Sequence, residues 1–234
     1  MARDGLVTIR FRRDGQDYIF KLRAAEDGDI SVASEFIRTG YEYPDRTPAQ
    51  IIDGGANIGL FAVMASRRFP EVRVVCFEAN PDNMPALQRN LTINRANAEA
   101  INQALWSGDS ELVFHSHMAY SGYVAEAGAE PETGNAIRVK AVLPEIGPDC
   151  WLKLDIEGAE YEVLPALLAA GRYPRWISGE VHFYREKGAA LIATLREHGY
   201  TVSGVPDQAN SDEIAIFAER DPGQVSGAGR SATG

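Results

Sequence analysis

Three short segments carry side chains that could do chemistry, and each of them follows a run of apolar residues. The first is Asp53-Gly54-Gly55-Ala56-Asn57-Ile58-Gly59, the second is Glu78 with Asn80 in FEANP, and the third is KLDIEGAE from Lys153 to Glu160. A glycine turn lets a ligand approach the backbone closely. A carboxylate that ends the second strand of a nucleotide-binding sheet accepts hydrogen bonds from ribose hydroxyls. These segments therefore indicate a site for a cofactor that contains a nucleoside.

The glycine turn discriminates between two such cofactors. In the dinucleotide pattern G-x-G-x-x-G, the middle glycine lets a pyrophosphate touch the backbone, and here Asn57 stands at that position. The charge of Asp53 would repel a pyrophosphate, whereas it suits a sulfonium that also carries an ammonium group. The turn thus favours S-adenosylmethionine over NAD. A tight turn without any ligand is the remaining interpretation, and Asp53 together with Glu78 disfavours it.

A second group of residues could move a proton. Asp155 ends one predicted strand and Glu157 follows it, while Glu180 ends the next strand and His182 follows it, in GEVHFY. The ordinary pKa of histidine is about 6.5, which suits a proton acceptor near neutral pH, so His182 is predicted to be the base. The alternative is a structural histidine. Asp155 and Glu180 could instead hold a divalent metal such as magnesium, but this route is not favoured because the ligands are few.

The elements that must position these residues alternate along the chain. Strands are predicted at QIID, VRVVCFE, AEAINQAL, CWLKLDI, RWISGEV, YTVSGV and EIAIFAE, and helices at 58–69, PDNMPALQRNLTIN, EYEVLPALLAA and GAALIATLREHG. The last two strands are too close in sequence for a helical crossover and are predicted to pair antiparallel. Buried strands that alternate with helices predict a doubly wound α/β sheet. Ligands in such sheets bind beyond the carboxyl ends of the strands.

The domain organisation is predicted to be simple. Residues 1–46 form an N-terminal β-hairpin, in which apolar residues alternate around Asp14-Gly15, and a short helix that belong to the same domain. Residues 47–220 form the main domain, and 221–234 are predicted to be a disordered tail because no apolar residue anchors them. The stretch after AEAINQAL, which includes ELVFHS and AIRVKAV, is predicted to be irregular, and the polar, Gly- and Ser-rich residues 106–135 are predicted to cover the substrate.

Bulk properties exclude several classes of protein. The chain has 234 residues, of which 45% are hydrophobic, and a net charge of −10, so a nucleic-acid partner is disfavoured. No apolar run approaches the length of a membrane span, and MARDGLVTIR has no signal-peptide core. We therefore expect a cytoplasmic protein with no membrane partner. Cys76 and Cys150 stand in apolar runs and are predicted to be buried, inert thiols.

At this point the chain resembles a known family. DGGANIG, FEANP, the NLTIN and NQAL pieces, and KLDIEGAE look like the FkbM-type methyltransferases, over about residues 48–200. The resemblance implies a class I, Rossmann-like fold with seven strands, the last one antiparallel. It also implies an enzyme that uses S-adenosylmethionine, mostly to methylate hydroxyl groups. The second motif more often reads EPNP, and here Ala79 replaces the first proline, which leaves Glu78 and Asn80 in place.

The resemblance also implies roles for individual residues. The turn residues would hold the methionine part of the cofactor: Asp53, Gly54, Gly55, Ala56, Asn57 and Gly59. Glu78 and Asn80 would bind the ribose, and Asn102-Gln103-Ala104 would edge the adenine. Asp155 and Glu157 would face the reacting centre.

The predicted function is O-methylation of a small molecule, a sugar or a natural product. Carboxyl or amine methylation, a nicotinamide-dependent oxidoreductase and a non-catalytic S-adenosylmethionine-binding protein remain open. The acceptor and the oligomeric state, with a homodimer among the options, are not readable from the residues.

Overall fold

A computed structural model describes residues 5–24, 27–38, 41–118, 121–126, 135–206 and 211–221. In these ranges no helix combines the length and apolarity that a membrane span needs. The predicted tail, apart from Asp221, lies outside the described residues.

The chain forms thirteen strands and five α-helices within the described ranges. The strands are β1 (Leu6–Arg13), β2 (Gln16–Arg23), β3 (Gln50–Gly54), β4 (Val74–Phe77), β5 (Ala98–Ile101), β6 (Ala104–Leu105), β7 (Ser110–Met118), β8 (Ser121–Glu126), β9 (Asn135–Val142), β10 (Cys150–Leu154), β11 (Trp176–Val181), β12 (Tyr200–Ser203) and β13 (Ile214–Arg220). The helices are α1 (Asp27–Arg38), α2 (Leu60–Arg68), α3 (Met84–Ile93), α4 (Glu160–Ala169) and α5 (Ala189–Glu197), and a π-helical turn spans Tyr184–Gly188.

The central sheet has seven strands in the order β12-β13-β11-β10-β3-β4-β5. The strands β3, β4, β5, β10 and β11 run parallel to one another, and β13 lies antiparallel to both β11 and β12. This confirms the predicted seven-stranded, mostly parallel α/β fold with an antiparallel last strand. The order reverses between β3 and β10, which is where ligands of such sheets bind.

Both faces of the sheet are covered, because successive strand residues point to opposite sides. Ile51 and Trp151 pack with α2 and α3 in one apolar cluster. Their neighbours Ile52 and Leu152 pack with α4 and α5 in a second cluster. Strand β10 is buried along its whole length, as expected for a strand with helices on both sides.

The predicted N-terminal hairpin forms from β1 and β2, and its buried residues Phe20 and Leu22 join the cluster of α2 and α3. Two asparagines of the NLTIN segment attach it. The side-chain oxygen of Asn90 accepts a hydrogen bond from Lys21 N at 2.9 Å, and that of Asn94 accepts one from Ile19 N at 3.1 Å. These amides satisfy backbone donors at an edge of the hairpin.

The region after β5 differs from the prediction. AEAINQAL is not one strand, because the chain leaves the central sheet at Asn102 and continues as β6 in a second sheet of order β6-β9-β7-β8. ELVFHS and AIRVKAV, predicted to be irregular, lie in β7 and β9. Their alternating residues Leu112, Phe114 and Val139 form a small buried cluster of their own. That cluster supplies the apolar burial that a second sheet needs.

Candidate active site

One cavity of about 540 Å³ opens at the carboxyl ends of β3, β4, β10 and β11. Of the residues predicted to form the site, these line it: Gly55, Ala56, Asn57, Glu78, Asn80, Gln103, Ala104, Asp155, Glu157, Glu180 and His182. Asp53, Gly54, Gly59 and Asn102 are not among its lining residues. The three predicted segments and the end of β11 therefore meet in one place, while part of each segment supports the wall from behind.

The glycine turn needs glycine because it runs against the end of β10. Gly55 has φ +73°, and an added Cβ would stand 1.8 Å from the carbonyl oxygen of Asp155. The turn's donors are also engaged within the protein. Gly55 N and Ala56 N both donate to the carbonyl oxygen of Phe77 at 3.0 Å. The turn is thus fixed to the neighbouring strands.

Glu78 organises the strand ends around the cavity. Its carboxylate accepts hydrogen bonds from Asn57 N at 2.7 Å, from Asn80 N at 2.9 Å and from the side chain of Asn83 at 3.3 Å. Burial raises the pKa of Glu78, and the hydrogen bonds from Asn80, Asn57 and Asn83 oppose the rise. Asn102 supports this corner from behind by donating to the carbonyl oxygen of Glu78 at 2.8 Å.

Lys153 lies beneath the turn and is a residue that sequence reasoning missed. Its Nζ donates to Gly54 O at 3.1 Å and to Gly55 O at 2.8 Å, and it lies 3.2 Å from Oδ1 of Asp53. These contacts account for all three donors of the ammonium. Burial lowers the pKa of Lys153, but the charges of Asp53 and Asp155 outweigh it, and the pKa is raised. The signal was present in KLDIEGAE, whose lysine stands in an otherwise apolar strand.

The position of Asp53 corrects one argument made from the sequence. Its carboxylate is fully buried, and Lys153 compensates its charge. Burial raises the pKa of Asp53, and the charge of Lys153 opposes the rise. Asp53 therefore does not present a negative charge to a ligand in the cavity, and its part in the site is to hold Lys153.

The negative charge of the cavity comes instead from its other end. Four carboxylates lie there: Asp155, Glu157, Glu180 and Glu213. His182 stands among them, with Nε2 3.6 Å from Oε2 of Glu157 and 3.8 Å from Oε2 of Glu213. Burial first, then the charge of Asp155 and a hydrogen bond with Glu213 raise the pKa of Glu180 to about 9. Glu180 therefore keeps its proton at neutral pH.

The environment of His182 corrects the argument for its role as a base. Nδ1 lies 3.1 Å from Oε1 of Glu160, a carboxylate that is itself 1% exposed. Burial lowers the pKa of His182, but the hydrogen bond and charge of Glu160, with Asp155 and Glu157, raise it to about 10. His182 is thus a cation at neutral pH. Its ordinary pKa was the reason for the prediction, and in this structure that reason fails.

Tyr41 completes the acidic end and was also missed. Its hydroxyl donates to Oδ2 of Asp155 at 3.2 Å. Burial, followed by the charges of Asp155 and Glu180, raises its pKa well above the ordinary value, so it remains a donor. No local sequence signal marks Tyr41, because it follows α1 and reaches Asp155 only through the tertiary fold.

Helix α1 and the second sheet, both outside the central sheet, also contribute apolar residues to the walls. Helix α1 contributes Val32 and Phe36, and the second sheet contributes Phe114 and Val124. The stretch 106–135, predicted to cover the substrate, thus supplies one wall of the cavity through its described residues.

The chain was compared with known proteins. The sequence model described as the methyltransferase FkbM domain matches residues 53–202, which is more than half of the chain. That range contains the glycine turn, Glu78, KLDIEGAE and His182.

Two relatives are similar over different shares of the chain. The 31-O-demethyl-FK506 methyltransferase FkbM of Streptomyces tacrolimicus is 29% identical over 80% of this chain and 86% of its own length. Methyltransferase sdnD of Sordaria araneosa is 32% identical over 49% of this chain, and the match spans 58% of that protein. A solved structure, the precorrin-6y C5,15-methyltransferase of Geobacter metallireducens, has a TM-score of 0.45 and 16% identity over 75% of this chain and 81% of that one.

Proposed function

The chain belongs to the FkbM family of methyltransferases, and we propose that it methylates a hydroxyl group of a small molecule, a sugar or a natural product with S-adenosylmethionine as donor. The observation that carries this proposal is that two sides of one cavity have different lining residues. Glu78 and Asn80 follow β4 on one side of β3, and Asp155, Glu157 and Glu180 stand at the ends of β10 and β11 on its other side.

The residues on the side of Glu78 and Asn80 fit a nucleoside. A carboxylate has about four acceptor positions, and three protein donors engage Glu78, so one position is left for a ribose hydroxyl. Gln103, Ala104 and Phe77 also line the cavity, and Gln103 with Ala104 would contact the adenine, as the resemblance to the family implies. A volume of about 540 Å³ lies within the range of small-molecule sites.

The acidic end fits the positive charges of the donor. When bound, S-adenosylmethionine would supply a methyl group on a positively charged sulfonium sulfur. An acceptor oxygen can take this methyl group, and the sulfur is the leaving group. Asp155 and Glu157 face the cavity with side chains that are 32% and 38% exposed, so they can stabilise a cation there. The sequence predicts this charge-stabilising role for Asp53, but Asp53 cannot fill it because Lys153 already compensates its charge.

The same geometry speaks against a dinucleotide. Pyrophosphates bind to free backbone N–H groups at the start of a helix. Here the N–H groups of Gly55 and Ala56 donate to Phe77 O, and that of Asn57 donates to Glu78. An acidic cavity adds repulsion. The nicotinamide-dependent oxidoreductase is therefore the weaker alternative.

Glu157 is the proton acceptor that we propose for the hydroxyl. Burial raises its pKa, with the charge of His182 opposing and that of Asp155 adding to the rise, so its carboxylate is a stronger base than an ordinary glutamate. Its backbone has φ +55°, a conformation that costs energy in a residue with a side chain and that often occurs at functional sites. Tyr41 fixes Asp155 beside it.

The relatives support an oxygen acceptor. The Streptomyces relative is named as a methyltransferase of 31-O-demethyl-FK506, a name that gives an oxygen as the methylated atom. Carboxyl or amine methylation on the same fold would use the same cofactor end. The apolar wall of α1 and the second sheet favours an acceptor with an apolar body. Cytoplasmic location and a homodimer stay predictions.

Binding and turnover experiments test the proposal. In calorimetry, the purified chain should bind S-adenosylmethionine and S-adenosylhomocysteine in the micromolar range and show no heat with NAD. Mass spectrometry should then detect one added methyl group on hydroxylated acceptors. NAD binding without any response to S-adenosylmethionine would overturn the cofactor. Binding without methylation of any oxygen, nitrogen or carboxyl acceptor would instead favour a non-catalytic binding protein.

A further inference from the structure

Three side chains of the acidic end point to one place. Asp155 follows β10, Glu180 lies in β11, and His182 comes directly after β11, and one potential ligand atom of each lies within 4.8 Å of the others. In an octahedral shell with metal–ligand distances of about 2.1–2.4 Å, opposite ligands are about 4.2–4.8 Å apart. The three atoms are therefore close enough together for a single ion to reach all of them.

The orientation of His182 is the second and independent observation. His182 is 9% exposed. Glu160 holds its Nδ1 at 3.1 Å, which turns Nε2 toward the cluster. The carboxylates nearest to Nε2 are 3.6 and 3.8 Å away, beyond hydrogen-bond distance. A buried carboxylate on one ring nitrogen and a ligand on the other is the usual arrangement of a metal-binding histidine.

The other contacts of Glu160 do little to explain why this carboxylate is buried. It is 1% exposed at the start of α4. Besides His182, its Oε1 accepts a hydrogen bond from Ile156 N at 3.0 Å. A buried carboxylate is costly unless it is paired, and a role in orienting His182 accounts for the pairing. Its neighbour Glu162 satisfies the same helix-start preference for acid from an exposed position.

The negative charge around the three side chains also favours the binding of a cation. The described residues that line the cavity include the carboxylates Asp155, Glu157, Glu180 and Glu213 at this end, and their basic members are Lys153 and His182. Lys153 is committed to Asp53 and to the turn. Asp155, Glu157 and Glu213 share one small volume with a single imidazole, and a divalent cation would neutralise the excess of negative charge.

We propose that Asp155, Glu180 and His182 bind a divalent cation of the magnesium or manganese type, with Glu160 as the residue that positions His182. Two carboxylates with one imidazole suit such ions, which prefer oxygen ligands. Water and the acceptor would complete the shell. Binding displaces the protons that ionisable ligands carry without the metal.

The catalytic role of the ion rests on the proposed function, whereas its binding does not. A divalent cation at this position would hold the acceptor hydroxyl and lower its pKa. The hydroxyl proton goes to Glu157. The acceptor oxygen then forms the new C–O bond to the methyl carbon, and the electron pair of the broken C–S bond stays on sulfur.

Direct metal binding tests the site without any turnover. The full chain, freed of metal by a chelator, is titrated with MnCl₂ and followed by calorimetry and by the electron paramagnetic resonance signal of free Mn²⁺. We expect one Mn²⁺ per chain with a micromolar Kd, and competition by Mg²⁺. Asp155→Asn and Glu180→Gln should each weaken binding by at least about 10-fold. Absence of saturable Mn²⁺ binding to the wild type, or wild-type binding by both variants, would overturn the site.

The positioning role of Glu160 has a matched control on the same helix. Glu160→Gln should weaken Mn²⁺ binding by about 10- to 100-fold, while the exposed Glu162→Gln should bind as the wild type does. The thermal unfolding midpoint is measured for both variants. Equal Kd values for the two would refute the positioning role, and weaker binding with an unchanged midpoint would support it beyond a general loss of stability.

A metal-free measurement separates this inference from the proposed function. S-adenosylmethionine binding is measured in the presence of EDTA. Binding of the cofactor without any Mn²⁺ binding would overturn the metal site and leave the proposed function standing. Mn²⁺ binding that depends on Glu180, in a chain that does not bind S-adenosylmethionine, would leave the metal site standing and overturn the proposed function.

Discussion

Nζ of Lys153 lies 3.2 Å from Oδ1 of Asp53, and both side chains are almost completely buried beneath the cavity. The two residues are partners across the parallel strands β10 and β3. The same ammonium donates to the carbonyl oxygens of Gly54 and Gly55. One buried cation thus ties the glycine turn to the strand that carries the acidic residues.

The first prediction concerns the stability that this pair provides. Lys153→Met leaves a buried carboxylate without its partner and should lower the free energy of unfolding by about 3–5 kcal/mol. Adding Asp53→Asn removes the stranded charge, so the double variant should regain part of that loss. Urea unfolding followed by tryptophan fluorescence measures both effects. The exposed Lys140→Met is the control, and an equal change in Lys153→Met would contradict the prediction.

A second prediction compares three glycines that all have positive φ. An added Cβ at Gly55 would stand 1.8 Å from the carbonyl oxygen of Asp155, at Gly59 2.9 Å from the side chain of Leu87, and at Gly15 in open space. Gly15→Ala should therefore cost about 1 kcal/mol from the backbone alone. Gly59→Ala should cost more, and Gly55→Ala most, because a backbone oxygen cannot turn aside as a side chain can.

Urea unfolding and S-adenosylmethionine calorimetry rank the three glycine variants. Gly55→Ala should also lose cofactor binding, whereas Gly15→Ala, far from the cavity, should keep it. The order would be refuted if Gly55→Ala were as stable as Gly15→Ala.

Much of the fold could be read from the sequence for a simple physical reason. Strands buried on both faces are continuous apolar runs, and helices have a different period, so their alternation along the chain is visible without any partner. The antiparallel pairing of β13 with β12 was predictable because too few residues separate the two strands for a helical crossover. The second sheet was missed although Leu112 and Phe114 alternate as strand residues do, because polar, Gly- and Ser-rich sequence surrounds them and they bury only a small cluster.

The site could be read only as far as the strand ends. Glycine, Glu78 and Asp155 stand directly after buried strands, so their common edge was predictable. The contacts that set their chemistry were not. Glu160 reaches His182 across 22 positions of the chain, and Tyr41 reaches Asp155 across 114. Strand order decides such contacts, and the order of parallel strands leaves no mark in the local sequence.

The third prediction concerns the two cysteines. Cys76 and Cys150 are both buried free thiols, and burial raises the pKa of each. Because the thiolate is the reactive form, neither should react with a thiol reagent in the native protein at pH 8. In denaturant both thiols per chain should react fully. Rapid labelling of the native chain would show that one of these strands is accessible.

The last prediction concerns Glu78, whose two oxygens both accept hydrogen bonds from N–H groups. Glu78→Ala should weaken S-adenosylmethionine binding by about 1.5–3 kcal/mol, the cost of losing hydrogen bonds to a charged group. Glu78→Gln keeps one acceptor oxygen, that of the amide. In this structure its NH₂ group must face either Asn57 N or Asn80 N, and two donors cannot bond to each other.

We therefore expect Glu78→Gln to lose a similar part of the affinity and some stability as well. Calorimetry with S-adenosylmethionine and thermal unfolding measure the two effects, with the exposed Glu71→Gln as the control. If Glu78→Gln bound the cofactor as tightly as Glu71→Gln did, the carboxylate would not be organising the turn. If Glu78→Ala also kept full affinity, the ribose would have to lie elsewhere in the cavity.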